Sequence, residues 1–176
     1  MTEKNPASRE TEPLLKHEPR YYMEKAYQEA LGALDEGEVP VGAVIVGPSG
    51  AVIGRGRNAI ERLSDATAHA EILAIGAAAQ HQKTWRLNGC TLYVTLEPCI
   101  MCLGAIAASR IERVVYAAPD PRLGAVQSTP CHEQILATYR VFPTVESGLM
   151  AAECGELLKS FFRKLRDSRK APADGT

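Results

Sequence analysis

The stretch TLYVTLEPCIMCLGAIAASRIERVVYAA, running from Thr91 to Ala118, carries the reading of the fold. Its first six residues mix β-branched, aromatic and aliphatic side chains after an Asn88-Gly89 turn signal, and read as a strand. Pro98 stands where a helix can start, since a first-turn residue has no helical use for its N–H. A helix is expected over 100–109 and a second strand over 113–117. Strand, helix and strand in that order need a crossover. The two strands therefore pair in parallel, with the helix against one face of the sheet.

Upstream, 68–80 is alanine-rich with Ile72, Leu73 and Ile75, which predicts a buried helix with Thr67 as its N-cap. Before it, apolar runs at 41–46 and 51–53 flank Gly47-Pro48-Ser49-Gly50 and read as a β-hairpin. Met23, Ala26, Tyr27, Ala30, Leu31 and Leu34 share one helical face, with Gly37 as a stop. Downstream come a loop with room for a short helix, a weaker strand at 141–146, and a last helix over 151–166. Leu157, Leu158, Phe161, Phe162 and Leu165 supply the apolar side of that helix. The expected fold class is α/β, a three-layer αβα sandwich around a mixed five-stranded sheet with an antiparallel edge. One domain at 20–167 is expected between a flexible N-terminal arm (1–19) and a flexible C-terminal tail (168–176).

Composition sets the outer limits. A chain of 176 residues holds one core comfortably and two poorly. A net charge of −1 gives no global sign of nucleic-acid binding, so any positive surface must be local. No apolar run approaches the roughly 20 residues of a membrane-spanning helix, and the first twenty residues hold no signal-peptide core. The cysteines number five, an odd count. Cys99 and Cys102 suit a metal, and Cys90, Cys131 and Cys154 are expected as free thiols in a reducing cytoplasm.

Two short motifs carry the chemistry: His69-Ala70-Glu71 and Pro98-Cys99-Ile100-Met101-Cys102. Cys99 and Cys102, at i and i+3 of a helix start, can turn both sulfurs toward one ion, and the helix N-terminus favours thiolate. His69 opens the other buried helix, so one ion can pin two helix N-termini. Three such ligands leave the fourth position of a tetrahedral zinc open, the arrangement of a catalytic site. Glu71 lies about 200° around the helix from His69, off the ligand face, where it can serve an activated water as proton carrier. A redox pair or half of a Cys₄ ribbon are the competing readings of Cys-x-x-Cys. No second cysteine pair supports the ribbon, and the proline before Cys99 weakens the redox case. His17, His81 and His132 read as ordinary core or surface residues.

The spacing H-x-E…P-C-x-x-C is the signature of zinc nucleobase deaminases. Around it stand Glu38-Val39-Pro40-Val41-Gly42-Ala43-Val44, Gly54-x-Gly56-x-Asn58, Thr67-Ala68-His69-Ala70-Glu71, Ser109-Arg110-Ile111 and Phe161-Phe162-Arg163. With these, the chain resembles the cytidine/deoxycytidylate deaminase-like superfamily from about Tyr22 to Arg166. Within it, the chain is similar to the bacterial tRNA-specific adenosine deaminases. The resemblance implies one zinc per subunit, a homodimer, a cytoplasmic location and the tRNA anticodon stem-loop as partner. It implies hydrolytic deamination of the wobble adenosine to inosine with release of ammonia, Glu71 carrying protons to ring N1 and to the leaving group. It places Asn58, the Ala70 backbone, Val39, Leu96, Pro98 and Asp120 around the base, although Asn58 could instead stabilise its own loop, and Val39 and Leu96 could be core. Lys159, Arg163, Lys164 and Arg166 form a basic stripe that suits RNA phosphates or a plain solvated face.

Departures from the family pattern gather at Pro119, Pro121 and Gln127 and again at Thr138-Tyr139, in loops that shape nucleic-acid access in the family. They put the substrate in question. A free-base deaminase acting on guanine or cytosine is the alternative, and a non-catalytic zinc-containing RNA-binding subunit is a third reading, against which Glu71 argues.

Overall fold

Alternation along three strands divides the interior into two layers. Ala43 and Ile45 of β1 (Gly42–Val46), Leu92 and Val94 of β3 (Thr91–Leu96), and Val114 and Tyr116 of β4 (Arg113–Ala118) point into one apolar cluster. Their neighbours Val44, Tyr93, Val115 and Ala117 point into the other. Buried on both faces, these strands are mostly apolar, as central strands tend to be; buried Thr95 is an exception, its hydroxyl accepting from the Gly42 amide.

The computed structural model describes residues 17–170. The expected arm at 1–19 and tail at 168–176 thus fall largely outside the described residues. The sheet order is β2-β1-β3-β4-β5, with β2 at Val52–Arg57 and β5 at Thr144–Ser147. β1 runs antiparallel to both β2 and β3, while β3, β4 and β5 are parallel. This is the mixed five-stranded sheet that the sequence predicts.

Helix α1 (Pro19–Asp35) covers one face through Tyr22, Met23, Ala26, Ala30 and Ala33. It ends where predicted, with Gly37 at a φ of +78°. Contact with the sheet is close: a Cβ at Gly42 would sit 2.1 Å from the Ala26 carbonyl oxygen. The other face carries α3 (Ala70–Gln82) and α4 (Ile100–Ala108). Gly54 and Gly56, two apart on β2, present no side chain to α3. A Cβ at either would lie 2.4 Å or less from the carbonyl oxygen of Ala74 or Ala70. Helix backbone therefore rests directly on strand backbone, which fixes where α3 begins.

Several elements depart from the sequence reading. Thr67 does not cap α3. His69 holds the N-cap position in extended backbone, and the Thr67 hydroxyl and amide both donate to Asp65 Oδ1. A short helix, α2 (Ile60–Leu63), follows β2 and carries no apolar periodicity long enough to announce it. β5 starts later than expected because Val141 and Phe142 pack beside α5 (His132–Tyr139) in a third small cluster. The last helix, α6 (Ala151–Lys170), runs past 167. Its Met150-side start belongs to the second cluster through Cys154, while Leu158 and Phe162 reach the first. Among the described residues no helix is long and apolar enough to cross a membrane.

Candidate active site

The connections leaving β2 and β3 deliver the two motifs to one place. His69 is the N-cap of α3 and Cys99 the N-cap of α4, both in extended backbone. Cys102 follows one turn into α4 and is fully buried. His69 Nδ1 stands 3.7 Å from Cys99 Sγ and 3.4 Å from Cys102 Sγ. All three donor atoms lie within 4.8 Å of one another. Donors bound at zinc distances of about 2.0–2.3 Å on a tetrahedron stand roughly 3.5–3.8 Å apart. His69 already stands at nearly that spacing from both sulfurs.

Charge makes the same point. The hydrogen bond from Cys102 draws Cys99 down to about 4, with His69 assisting against burial. Cys102 moves strongly the other way, because it is the donor in that bond and is buried beside Glu71. His69 is raised, chiefly by its hydrogen bond to Cys99. The shared hydrogen bond thus pushes the two sulfurs in opposite directions, Cys99 toward thiolate and Cys102 toward thiol. A divalent cation is the species that lets both become thiolates at once.

Glu71, in the first turn of α3, is 4% exposed. Burial pushes its carboxyl up to about 7, against the pull of its own backbone amide and of His69. It stands outside the three-donor cluster. A carboxyl that titrates near neutrality can both accept and return a proton.

These groups open into a cavity of about 410 Å³. Val39, Asn58, Ala70, Leu96 and Asp120 all line it, together with His69, Glu71 and Cys99. Lys159 stands on its wall as well, projected from α6. Pro98 does not line it; that residue is buried and its carbonyl accepts from the Ala125 amide. Arg163, Lys164 and Arg166 lie exposed further along α6 and away from the cavity, Arg163 in an ion pair with Glu156. Asn58 is held from behind: its Nδ2 donates to Glu38 Oε2 at 3.1 Å, and Glu38 Oε1 accepts from the Arg62 amide. Asp120 spends its Oδ1 on the amides of Arg122 and Leu123, closing its own turn.

Other wall residues have no motif to give them away. Ile60 comes from the short α2, and Arg122 and Leu123 from the loop after β4; Phe162, of the Phe161-Phe162-Arg163 motif, joins them from α6. Glu38 and Glu97 are buried carboxylates at the ends of apolar segments. Glu38 heads the Glu38-Val39-Pro40 motif, whereas for Glu97 the signal is a charge beside an apolar run, because ionised groups are almost never fully buried without partners.

An open three-donor metal position beside a protonatable carboxyl, set at the carboxyl end of β3 in an αβα sandwich, defines a zinc-dependent hydrolytic deaminase. The model of the cytidine and deoxycytidylate deaminase zinc-binding region matches residues 16–118, and the chain belongs to that family. A curated tRNA-specific adenosine deaminase of Streptococcus pyogenes serotype M1 is 44% identical over 155 residues, covering 87% of this chain and 88% of the relative. One from Bacillus subtilis (strain 168) is 45% identical over 150 residues, covering 85% and 92%. A solved structure from a study of tRNA:A34 deaminases and A-to-I editing at the wobble position of transfer RNA is 46% identical. It superposes with a TM-score of 0.74 over 78% of this chain and 99% of that one.

Proposed function

We propose that this protein deaminates adenosine to inosine at the wobble position of a tRNA anticodon, acting in the cytoplasm as a homodimer with one zinc per subunit. The observation that carries the chemistry is the buried Glu71 carboxyl, held near 7 in the wall of the cavity into which His69 and Cys99 open. The choice of adenosine in tRNA draws on the relatives, whose names state that substrate and whose likeness covers 85–87% of the chain.

His69, Cys99 and Cys102 would hold the zinc. When bound, the ion supplies the Lewis acidity that brings a water into nucleophilic range near neutral pH. Glu71 takes one proton as the water attacks C6 and delivers it to ring N1; it then takes the second proton from the new C6 hydroxyl and gives it to the C6 amino group, which leaves as ammonia as the C6 carbonyl forms. Burial keeps the carboxyl from losing that proton to bulk water between steps. Asn58, its amide oriented by Glu38, and the first-turn amide of Ala70 meet the polar edge of the base. Val39 and Leu96 close on its faces. Lys159 stands where a phosphate flanking an extruded nucleotide would pass, with Arg163, Lys164 and Arg166 extending positive charge along α6.

A side-by-side assay on an anticodon stem-loop RNA, free adenine, guanine and cytosine tests the reading. Inosine in the RNA and no turnover of the free bases is the expected result. Turnover of guanine or cytosine with the RNA untouched would replace it by the free-base reading. Zinc retention with no turnover of any of them would leave a non-catalytic subunit.

A further inference from the structure

Glu97 lies directly after β3 and two positions before Cys99, 2% exposed, and five donors converge on its carboxylate. Oε1 accepts from the amides of Val126, Gln127 and Ser128 at 3.1, 2.7 and 2.9 Å. Oε2 accepts from the Asp120 amide at 3.0 Å and from the Ser128 hydroxyl. Two carboxylate oxygens offer about four lone-pair sites, so this group is saturated, and each bond is of the stronger, charge-assisted kind.

The donors come from both ends of one irregular loop. Between them the chain passes through Pro121, Arg122 and Leu123, which with Pro119 and Asp120 form one wall of the cavity. The fit is tight from the other side too. A Cβ at Gly124 would stand 2.4 Å from Glu97 Cδ and Oε2, so the loop lies flat on the carboxylate only because 124 is glycine. The same loop grips the metal-bearing turn: the Ala125 amide donates to the Pro98 carbonyl, and Gly124 bridges to Cys99. The Tyr116 hydroxyl adds one more tie, to the Gln127 side chain.

We propose that Glu97 is a positioning residue for substrate. It fixes the 119–128 loop as a preformed cavity wall, in register with the Cys99 turn, and so sets how tightly the substrate is held against the reacting groups. The proposal rests on the cavity being the substrate site. Preorganisation of this kind acts on binding, because a loop already ordered need not be ordered by the ligand.

The test uses the zinc-loaded, full-length protein in three variants: Glu97→Gln, which keeps the shape but supplies donors where acceptors are needed, Gly124→Ala, which crowds the carboxylate from the loop side, and Glu97→Asp. KM for the stem-loop RNA should rise about tenfold in Glu97→Gln and Gly124→Ala, with kcat falling much less. Zinc should remain at one per chain, and Glu97→Asp should recover part of the loss. Faster hydrogen exchange at Val126, Gln127 and Ser128 should accompany the rise. An unchanged KM with a lowered melting temperature would make Glu97 merely structural. Lost zinc with unchanged KM would make it a support of the metal turn. Both overturn the proposal. If the wild type turns over a free base instead of RNA, the substrate reading fails separately, and the same variants are scored on that base. If it turns over nothing, the RNA dissociation constant is compared, and equal values for wild type and variants overturn the role.

Discussion

The two halves of the cavity are built on different principles. On one side, His69, Glu71, Cys99 and Cys102 sit at the first turns of α3 and α4, whose starts are set by helix-on-strand contact at Gly54 and Gly56 and by strand β3. On the other, Pro119 to Leu123 belong to a segment with no regular structure, shaped by one buried carboxylate and a few carbonyls. Under the proposed function, helix starts place the metal donors and the proton carrier, while an irregular loop supplies one of the walls that would face the substrate. This division explains how one scaffold can keep its reaction while its substrate changes.

The contrast predicts that damage to the first half shows in turnover and damage to the second in binding. Glu71→Ala should cause the largest effect, a loss of roughly 10²–10⁴-fold in kcat with zinc content and fold retained, measured by inosine formation and metal analysis. Undiminished turnover would remove Glu71 from the reaction. Next in size, Cys99→Ser or Cys102→Ser should release zinc and lower the melting temperature together, since ligation and folding are coupled. A metal-free variant that melts like the wild type would show that the site lends no stability.

A third prediction isolates the burial of Glu71 in metal-free protein. Its folded value of about 7 lies above the ordinary 4.5, so the folded state binds the extra proton between them. Stability should therefore fall as pH rises from about 4.5 to about 7, by up to about 3 kcal/mol relative to Glu71→Gln. Denaturation of both proteins at pH 4 and pH 8 measures it, and parallel pH curves would contradict the assigned burial.

The smallest effect concerns the basic stripe. Lys159→Ala should weaken stem-loop binding a few-fold and reduce the salt dependence by about one counterion. Arg163→Ala, off the cavity and already paired with Glu156, should do less. Equal losses would move the phosphate path out along α6.

What the sequence made legible follows the same division. Periodicity and turn residues were enough for the sheet, because β1, β3 and β4 are mostly apolar on both faces and the crossover rule leaves one way to connect them. Ligand chemistry was enough for the metal cluster. The N-cap of α3 was misread because Thr67 had a nearer acceptor in Asp65, a local competition that spacing alone does not reveal. Glu97 stood in plain sight beside Pro98-Cys99, yet its five donors come from residues 120 to 128, beyond an entire helix and strand. Ile60, Leu123 and Phe162 meet at the cavity only through tertiary folding.

Helix α6 gives the cavity a history as well as a wall. Gly155, Leu158, Lys159 and Phe162 complete the pocket from the last described element of the fold, while the metal donors are in hand once α4 is made. The residues that would hold the zinc are therefore synthesised well before those that close the chamber, and the cavity is complete only when the last described helix is in place.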